Sequence, residues 1–429
     1  EMKDSGGNGL NFSINNSSPY RQIIGVGGGE TLGLAANGIT SVKLVLDANS
    51  KISLSNNDSG TSNTIFGKSA GASLDAGSNF NTFIGEGVSD ASMNDATDNV
   101  GVGYQALSAL TTGDDNVAVG MRALLDLEGG NKNTGLGDSA GRSITSGEEN
   151  VMVGHQAGDA ITDGGANCIV GVNAATAGNL SYITAIGREA ARDVNSTDAN
   201  GTTVVGTNAL AALTSGAGNT AVGYQAIGSS CDVGDFNTAV GYQALKVLDP
   251  GTDGHGSNTA VGYRAGYACS TAENNTFIGT SAGQATTGAG NVIIGREAGS
   301  GMVGGSDCVI IGHAACNANN SRNGLVMIGK EAGTSLTSGD ANTFVGFQCG
   351  QTITTGDHNT LLGYEAGHDL TTNSSHNTLL GKQAGAAINV NNDGNNTIVG
   401  SEAGDSITSG TNNTIVGALS DASAVGAVN

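Results

Sequence analysis

Basic residues are scarce in this chain: 16 Lys and Arg stand against 38 Asp and Glu, for a formal charge of −22. They are scattered and build no basic patch, which argues against a nucleic-acid partner; the acidic excess favours solubility instead. Long apolar runs are missing too. No stretch is apolar for the roughly 18 residues that a membrane-spanning helix needs, and no signal-peptide pattern occurs within the chain. There are six cysteines and no C-x-x-C spacing. Cys168, Cys308 and Cys349 occupy strand or small-residue slots, and Cys231, Cys269 and Cys316 lie near turns. They read as free structural thiols rather than as a disulfide or metal framework. Tryptophan is absent and aromatic residues make up 4% of the chain, whereas glycine numbers 72. Whatever core exists must be built from small units.

Those units are plain to see. A phrase close to N-T-x-V-G-x-x-A-G recurs twenty-one times between Gly67 and Gly417, mostly at intervals of ~17 residues. The interval varies little along the chain, and the longest runs from Gly241 to Gly262. So short a period does not fit a helical pair. It fits one coil of a parallel β-solenoid, in which each repeat hides its apolar face only by stacking on its neighbours. The fold expected is all-β: a β-roll of about 21 coils of ~17 residues, over residues 61–429, forming a rod on the order of 100 Å long at ~4.8 Å per coil.

Counting the phrase glycine as zero, position −1 is apolar in every copy (Phe66, Ile84, Val102 through Val416), and position −3 is Thr, Val or Cys. These two share a strand face, which is expected to point into the coil. Position −2 then points outward, yet it holds residues such as Ile65, Phe83, Met152, Phe277, Phe344 and Leu379, or else Ala or Gly. Strands apolar on both faces are buried on both. A bare solenoid would therefore carry an apolar stripe too long for a soluble monomer, which predicts a homo-oligomer.

Position −4 is Asn in seventeen copies and position +3 is Ala in eighteen. Asn suits a turn and can stack as an amide ladder, while the Ala slot marks a tight corner. Positions +1 and +2 are mixed and read as solvated. A second short segment and a turn, as in Leu110–Asp115 and Ile353–His358, predict roughly two strands per coil. Residues 1–60 differ. Phe12 and Ile14, then Val42, Leu44 and Leu46, then Ile52 and Leu54 alternate as short strands around the glycine run 25–29, as in a separate β module or shaft segment. The start at Glu1 and the abrupt end at Asn429 suggest a portion of something longer. Asp421 in the usual +4 glycine slot, and Val425-Gly426 at irregular spacing, suggest that the repeat ends or changes register there.

Several phrases imitate catalytic motifs. Gly67-Lys68-Ser69-Ala70-Gly71 and the phrases at Ser139 and Ser281 satisfy G-x-S-x-G, but the repeat itself generates them, and no strand-turn-helix context surrounds them. Gly67-Lys68-Ser69 also resembles the end of a phosphate loop whose first glycine is replaced by Ser62. His358 and His376 share position −5 on adjacent coils without a third metal ligand, and read as solvated turn residues. The acidic turns at Asp114-Asp115, Glu148-Glu149 and Asp340 lack the nonapeptide of calcium-binding rolls. No cofactor, metal or catalytic residue is expected. For recognition, Tyr224, Tyr242 and Tyr263 occupy position +1 on three consecutive coils, a row suited to sugar rings or to stacking on itself. The long interval before Gly262 adds a loop with Asp249, Pro250, Asp253 and His255, placed where solenoid insertions often bind.

The phrase Asn219-Thr220-Ala221-Val222-Gly223-Tyr224-Gln225-Ala226, and its relatives through Asn413–Gly417, resembles the N-S-x-A-I-G-x-x-A coils of trimeric autotransporter adhesin heads. It is more similar still to glycine-rich repeats of bacteriophage tail fibres, which residues 44–56 also resemble. The resemblance covers the whole repeat region, and so most of the chain, although the adhesin coils are shorter than these. It implies a left-handed roll, a homotrimer, and a non-enzymatic virion tail fibre that meets a host-surface glycan or protein receptor and other tail proteins, without membrane insertion. A cell-surface adhesin or self-assembling extracellular filament is the alternative. A depolymerase on a trimeric β-helix comes third, since the small regular slots advertise no groove of clustered carboxylates.

Overall fold

A computed structural model of the chain describes residues 60–421, apart from 196–198, 213, 215, 229–233, 249–255, 319–320, 371–372 and 389–392, together with the backbone of three short strands before residue 60. Two compact units result, Glu1–Lys51 and Ile52–Asn429. In the first, β1 (Leu32–Leu34) pairs antiparallel with β2 (Leu44–Leu46). The alternation at 42–46 anticipates β2; β1 follows the glycine run and carries only a Leu-Gly-Leu signal. The strands expected at Phe12 and Ile14, and the expected end of the repeat near Val425, lie outside the described residues.

The second unit is a parallel β-solenoid. After β3 (Ile52–Ser53), which pairs antiparallel with β4 (Thr64–Phe66), twenty-one parallel strands follow in chain order from β4 to β24 (Thr414–Val416). Each strand pairs with the one before and the one after, position for position: Thr64 with Thr82, Ile65 with Phe83, Phe66 with Ile84. Register survives every change of interval. Across the longest step, from Gly241 to Gly262, Thr238 still meets Thr259, and across the short step from Gly171 to Gly187 Cys168 still meets Thr184.

The structure corrects two expectations. Each coil contributes one strand of three residues rather than two strands, and tight turns occupy most of the rest. The segment expected to hold a second strand is left with isolated bridges such as Ser73–Ser92. Hydrogen bonding between coils continues through the turns, as from Gly71 N to Val88 O (2.9 Å) and Thr111 N to Glu128 O (2.9 Å). Most backbone donors thus find partners without regular strand geometry, as a stack that hides its backbone requires.

The second correction concerns which strand face is inside. Position −2 is buried in all twenty-one copies, while −1 and −3 are half-buried or exposed. The reason lies in the corner that follows. The phrase glycine adopts φ near +135°, open to glycine alone, and position +2 falls in the left-handed region in every described copy, as at Gln105 (φ 56°) and Glu365 (φ 53°). This turn carries the +3 side chain inward beside −2. Ala70, Ala106 and Ala123 are fully buried there, as the tight corner predicts. The opposite wall supplies Leu110, Leu127, Ile144 and Ile161, also fully buried.

Each coil therefore encloses a narrow apolar bore whose filling is shared between two slots. Where −2 is large, as at Phe277, Phe344 and Leu361, position +4 is glycine (Gly283, Gly350, Gly367). Where −2 is small, as at Gly101, Ala118, Ala221 and Ala239, position +4 is mostly Leu or Ile (Leu107, Leu124, Ile227, Leu245). A Cβ on Gly350 would lie 2.7 Å from the Phe344 ring, and one on Gly101 would lie 3.4 Å from Leu107. Constant volume per layer keeps a close-packed interior free of voids and strain. In two coils a small −2 residue meets glycine at +4, and their neighbours compensate. Leu124 and Met152 reach in beside Gly135 and Gly141, and Leu245 and Phe277 reach in beside Gly266, the partner of Ala260.

The −4 asparagines form the expected ladder. Asn133 Oδ1 accepts from the backbone N of Asn150 (3.1 Å) and its amide (2.9 Å), while Asn133 Nδ2 donates to Gly147 O (2.8 Å). The pattern repeats from Asn63 to Asn167, from Asn219 to Asn291 and from Asn342 to Asn413. At one break Cys308 substitutes its thiol, which faces Leu325 N at 3.5 Å. Turn Asp and Asn side chains cap the preceding coil, as Asp114 Oδ1 does for Thr97 N (2.7 Å).

Candidate functional site

The +1 column stands at the outer side of the glycine corner, and its side chains follow one another up the stack at the coil rise. Tyr224, Tyr242 and Tyr263 are stacked, with ring centroids 5.2 and 5.3 Å apart and interplanar angles of 18° and 10°. The structure thus brings together the three predicted tyrosines. Tyr242 is covered by a ring on both faces and Tyr224 and Tyr263 on one, and all three are 42–45% exposed. Asp249, Pro250, Asp253 and His255 lie outside the described residues. Tyr364, another +1 tyrosine, stacks on Phe347 instead (5.2 Å).

A second column runs beside the tyrosines. Gln243 Nε2 donates to Gln225 Oε1 (2.9 Å), and Arg264 Nε donates to Gln243 Oε1 (3.0 Å). The Arg264 guanidinium lies 5.3 Å from the Tyr263 ring centre and 5.2 Å from that of Tyr267, and Lys246 Nζ lies 5.8 Å from the latter. Lys246, Arg264 and Tyr267 escaped the sequence reading. The available signal was the pairing Tyr-Gln, Tyr-Gln, Tyr-Arg at +1 and +2 of consecutive phrases, which only the stacking turns into two adjacent columns.

The imitation motifs have definite places. Ser69, Ser139 and Ser281 sit at the left-handed +2 position. Ser139 Oγ donates to Asp138 Oδ1 (2.8 Å), and His155 Nε2 lies 3.8 Å from Asp138 Oδ2. The carboxylate therefore stands between hydroxyl and imidazole, the reverse of the order in which an imidazole takes a serine proton. Lys68 pairs with Glu86 of the next coil (3.2 Å). His358 and His376 stack at 5.1 Å, and His376 Nδ1 meets Asp393 Oδ1 at 3.2 Å. No group of three or more His, Cys, Asp or Glu fit to hold a metal occurs among the described residues.

Cys269, Cys308, Cys316 and Cys349 are buried and Cys168 is half-buried, all as free thiols. Burial pushes the Cys269 and Cys349 thiols up to about 12. Hydrogen bonds from Gln383 and then Tyr364 hold the Glu365 carboxyl below its ordinary range. Among the described residues no helix is long and apolar enough to cross a membrane. No family model matches the chain, and comparison with curated proteins and with solved structures yields no match.

Proposed function

We propose that this chain is a rigid, non-enzymatic fibre subunit, assembled as a homotrimer, that extends from a virion as part of a tail fibre and contributes to host attachment. The observation that carries the reading is the outward strand face. Along all twenty-one parallel strands, −1 is apolar and −3 is Thr, Val or Cys, with no charged residue in either row of a chain of net charge −22. Phe66, Leu136 and Leu362 are 45–52% exposed on that face. Twenty strand steps of ~4.8 Å by a strand width of ~10 Å make a strip on the order of 1,000 Å2, against the ~800 Å2 per partner of a stable interface. Sister subunits suit it, because every copy has the same coil rise and presents the same uncharged rows.

A stack of this regularity gives reach and stiffness at small cost in sequence, while its solvent-facing columns are free to vary. A host-surface glycan or protein, and other tail proteins, are the partners this reading implies. The residues that carry the resemblance to phage tail fibres favour the virion over a cell-surface adhesin or extracellular filament. Sedimentation equilibrium of the purified chain tests the assembly: a trimer is expected, and a stable monomer would refute it. Immunogold labelling of native particles then tests the location, with label on tails expected and label on cell envelopes favouring the adhesin.

A further inference from the structure

The +1 to +5 segments of five consecutive coils read Thr207–Ala211, Tyr224–Gly228, Tyr242–Lys246, Tyr263–Tyr267 and Thr280–Gln284. They hold four tyrosines, two cations and no carboxylate, although Asp and Glu outnumber Lys and Arg more than twofold in the whole chain. Acidic residues return on either side, with Glu189 below and Glu297 above. Within this window Arg264 has no acidic partner among the described residues. It is held by Gln243 through Nε and set between the rings of Tyr263 and Tyr267. A guanidinium fixed in that way keeps its remaining N–H donors in the planar arrangement that fits a carboxylate.

We infer that this window is a binding site for a linear, carboxylate-bearing polysaccharide that lies along the stack across the tyrosine and glutamine columns. Three features select that ligand. Within the stack the ring faces are turned to one another and only the two end faces are left, so recognition along it falls to the ring edges and to Arg264. The tyrosines advance 5.2 to 5.3 Å per coil, close to the advance of an extended hexopyranose chain per sugar, so successive coils meet successive sugars in one register. Elsewhere the acidic surface repels a polyanion, which confines it to this window. The inference rests on the attachment reading and deepens it by naming the class of receptor.

Calorimetric titration of the chain with oligomannuronate, a uronate whose β-1,4 linkages give that extended advance, tests it, with cello-oligosaccharide and a sulfated glycosaminoglycan oligomer as the other arms. The uronate is expected to bind, to weaken at least about tenfold in Arg264→Gln, the loss of roughly one charged hydrogen bond, and to weaken as salt rises. Phe347→Leu, in the separate Phe347–Tyr364 stack, is expected to leave binding unchanged, and circular dichroism reports whether each variant keeps its sheet. Absence of uronate binding, equal binding of the neutral oligosaccharide, tighter binding of the sulfated one, or indifference to Arg264→Gln in a folded variant would each overturn the inference. None of these outcomes bears on the trimer or on its location, which sedimentation and labelling decide separately.

Discussion

At the residue scale, the asparagine of position −4 joins three coils through one amide. Asn133→Ala would strand the Gly147 carbonyl, the Asn150 backbone N–H and one hydrogen of the Asn150 amide, whose nitrogen keeps its bond to Gly164 O, in a buried site. A loss on the order of 3 kcal/mol is expected, since each orphaned buried group costs ~1–3 kcal/mol. In a stack whose repeats contact only their neighbours the loss stays local, so hydrogen exchange should accelerate in the coils around Gly137 and leave those around Gly363 unchanged. The thiols make a second test. Cys269 and Cys349 are expected to resist alkylation at pH 8 in the folded chain and to react once it is denatured. Unfolded thiols ionise from their ordinary value of 9.0, whereas these stay neutral up to about 12. Their contribution to stability is therefore complete below pH 9 and is lost between 9 and 12, which a pH series of thermal melts would register as a falling midpoint.

At the scale of one coil, the exchange of volume between −2 and +4 is the device that lets different sequences fill one bore. Gly350→Leu would drive a side chain into the Phe344 ring and is expected to destabilise by roughly 1–3 kcal/mol, the usual range for overpacking. Combined with Phe344→Ala it should recover much of that loss, because Ala with Leu is the pairing already present at Ala118 and Leu124. Left-handed geometry at +4 is no obstacle, since Leu124 occupies it at φ 49°. A double-mutant cycle in denaturant measures the coupling.

The coil also shows what the sequence could and could not reveal. Its period, the amide ladder and the alanine corner were legible, because each rests on one residue type in one slot. The inner face was not. Positions −1 and −2 are both apolar, so alternation alone cannot choose between them; the choice is made by the left-handed residue at +2, where Gln, Arg, Ser and Glu give no warning of their backbone geometry. The second strand was overcalled because Leu110 and Ile353 look like strand residues, yet they are single inward side chains between turns. For the candidate site the tyrosine row was legible, but the cations beside it became visible only when the stack brought Lys246, Arg264 and Tyr267 together.

At the scale of the whole molecule, the outward rows of −1 and −3 are where assembly is to be tested. Val240→Asp with Ile278→Asp places two carboxylates on the uncharged strip without touching the bore. The pair is expected to shift the trimer toward monomer in sedimentation equilibrium while the circular dichroism spectrum is kept. A trimer unmoved by both charges would mean that the subunits meet through another face.

Strand register is indifferent to how much chain separates one strand from the next. The short run from Thr276 to Val292, the usual one from Val100 to Val117 and the long one from Thr238 to Thr259 all return Thr or Val to the same row. Lengthening is absorbed away from the sheet. A peptide grafted within the Gly241–Gly262 interval should therefore be displayed at a fixed height on the stack, as a tick is held on a measuring rule, with the graduations above and below it undisturbed.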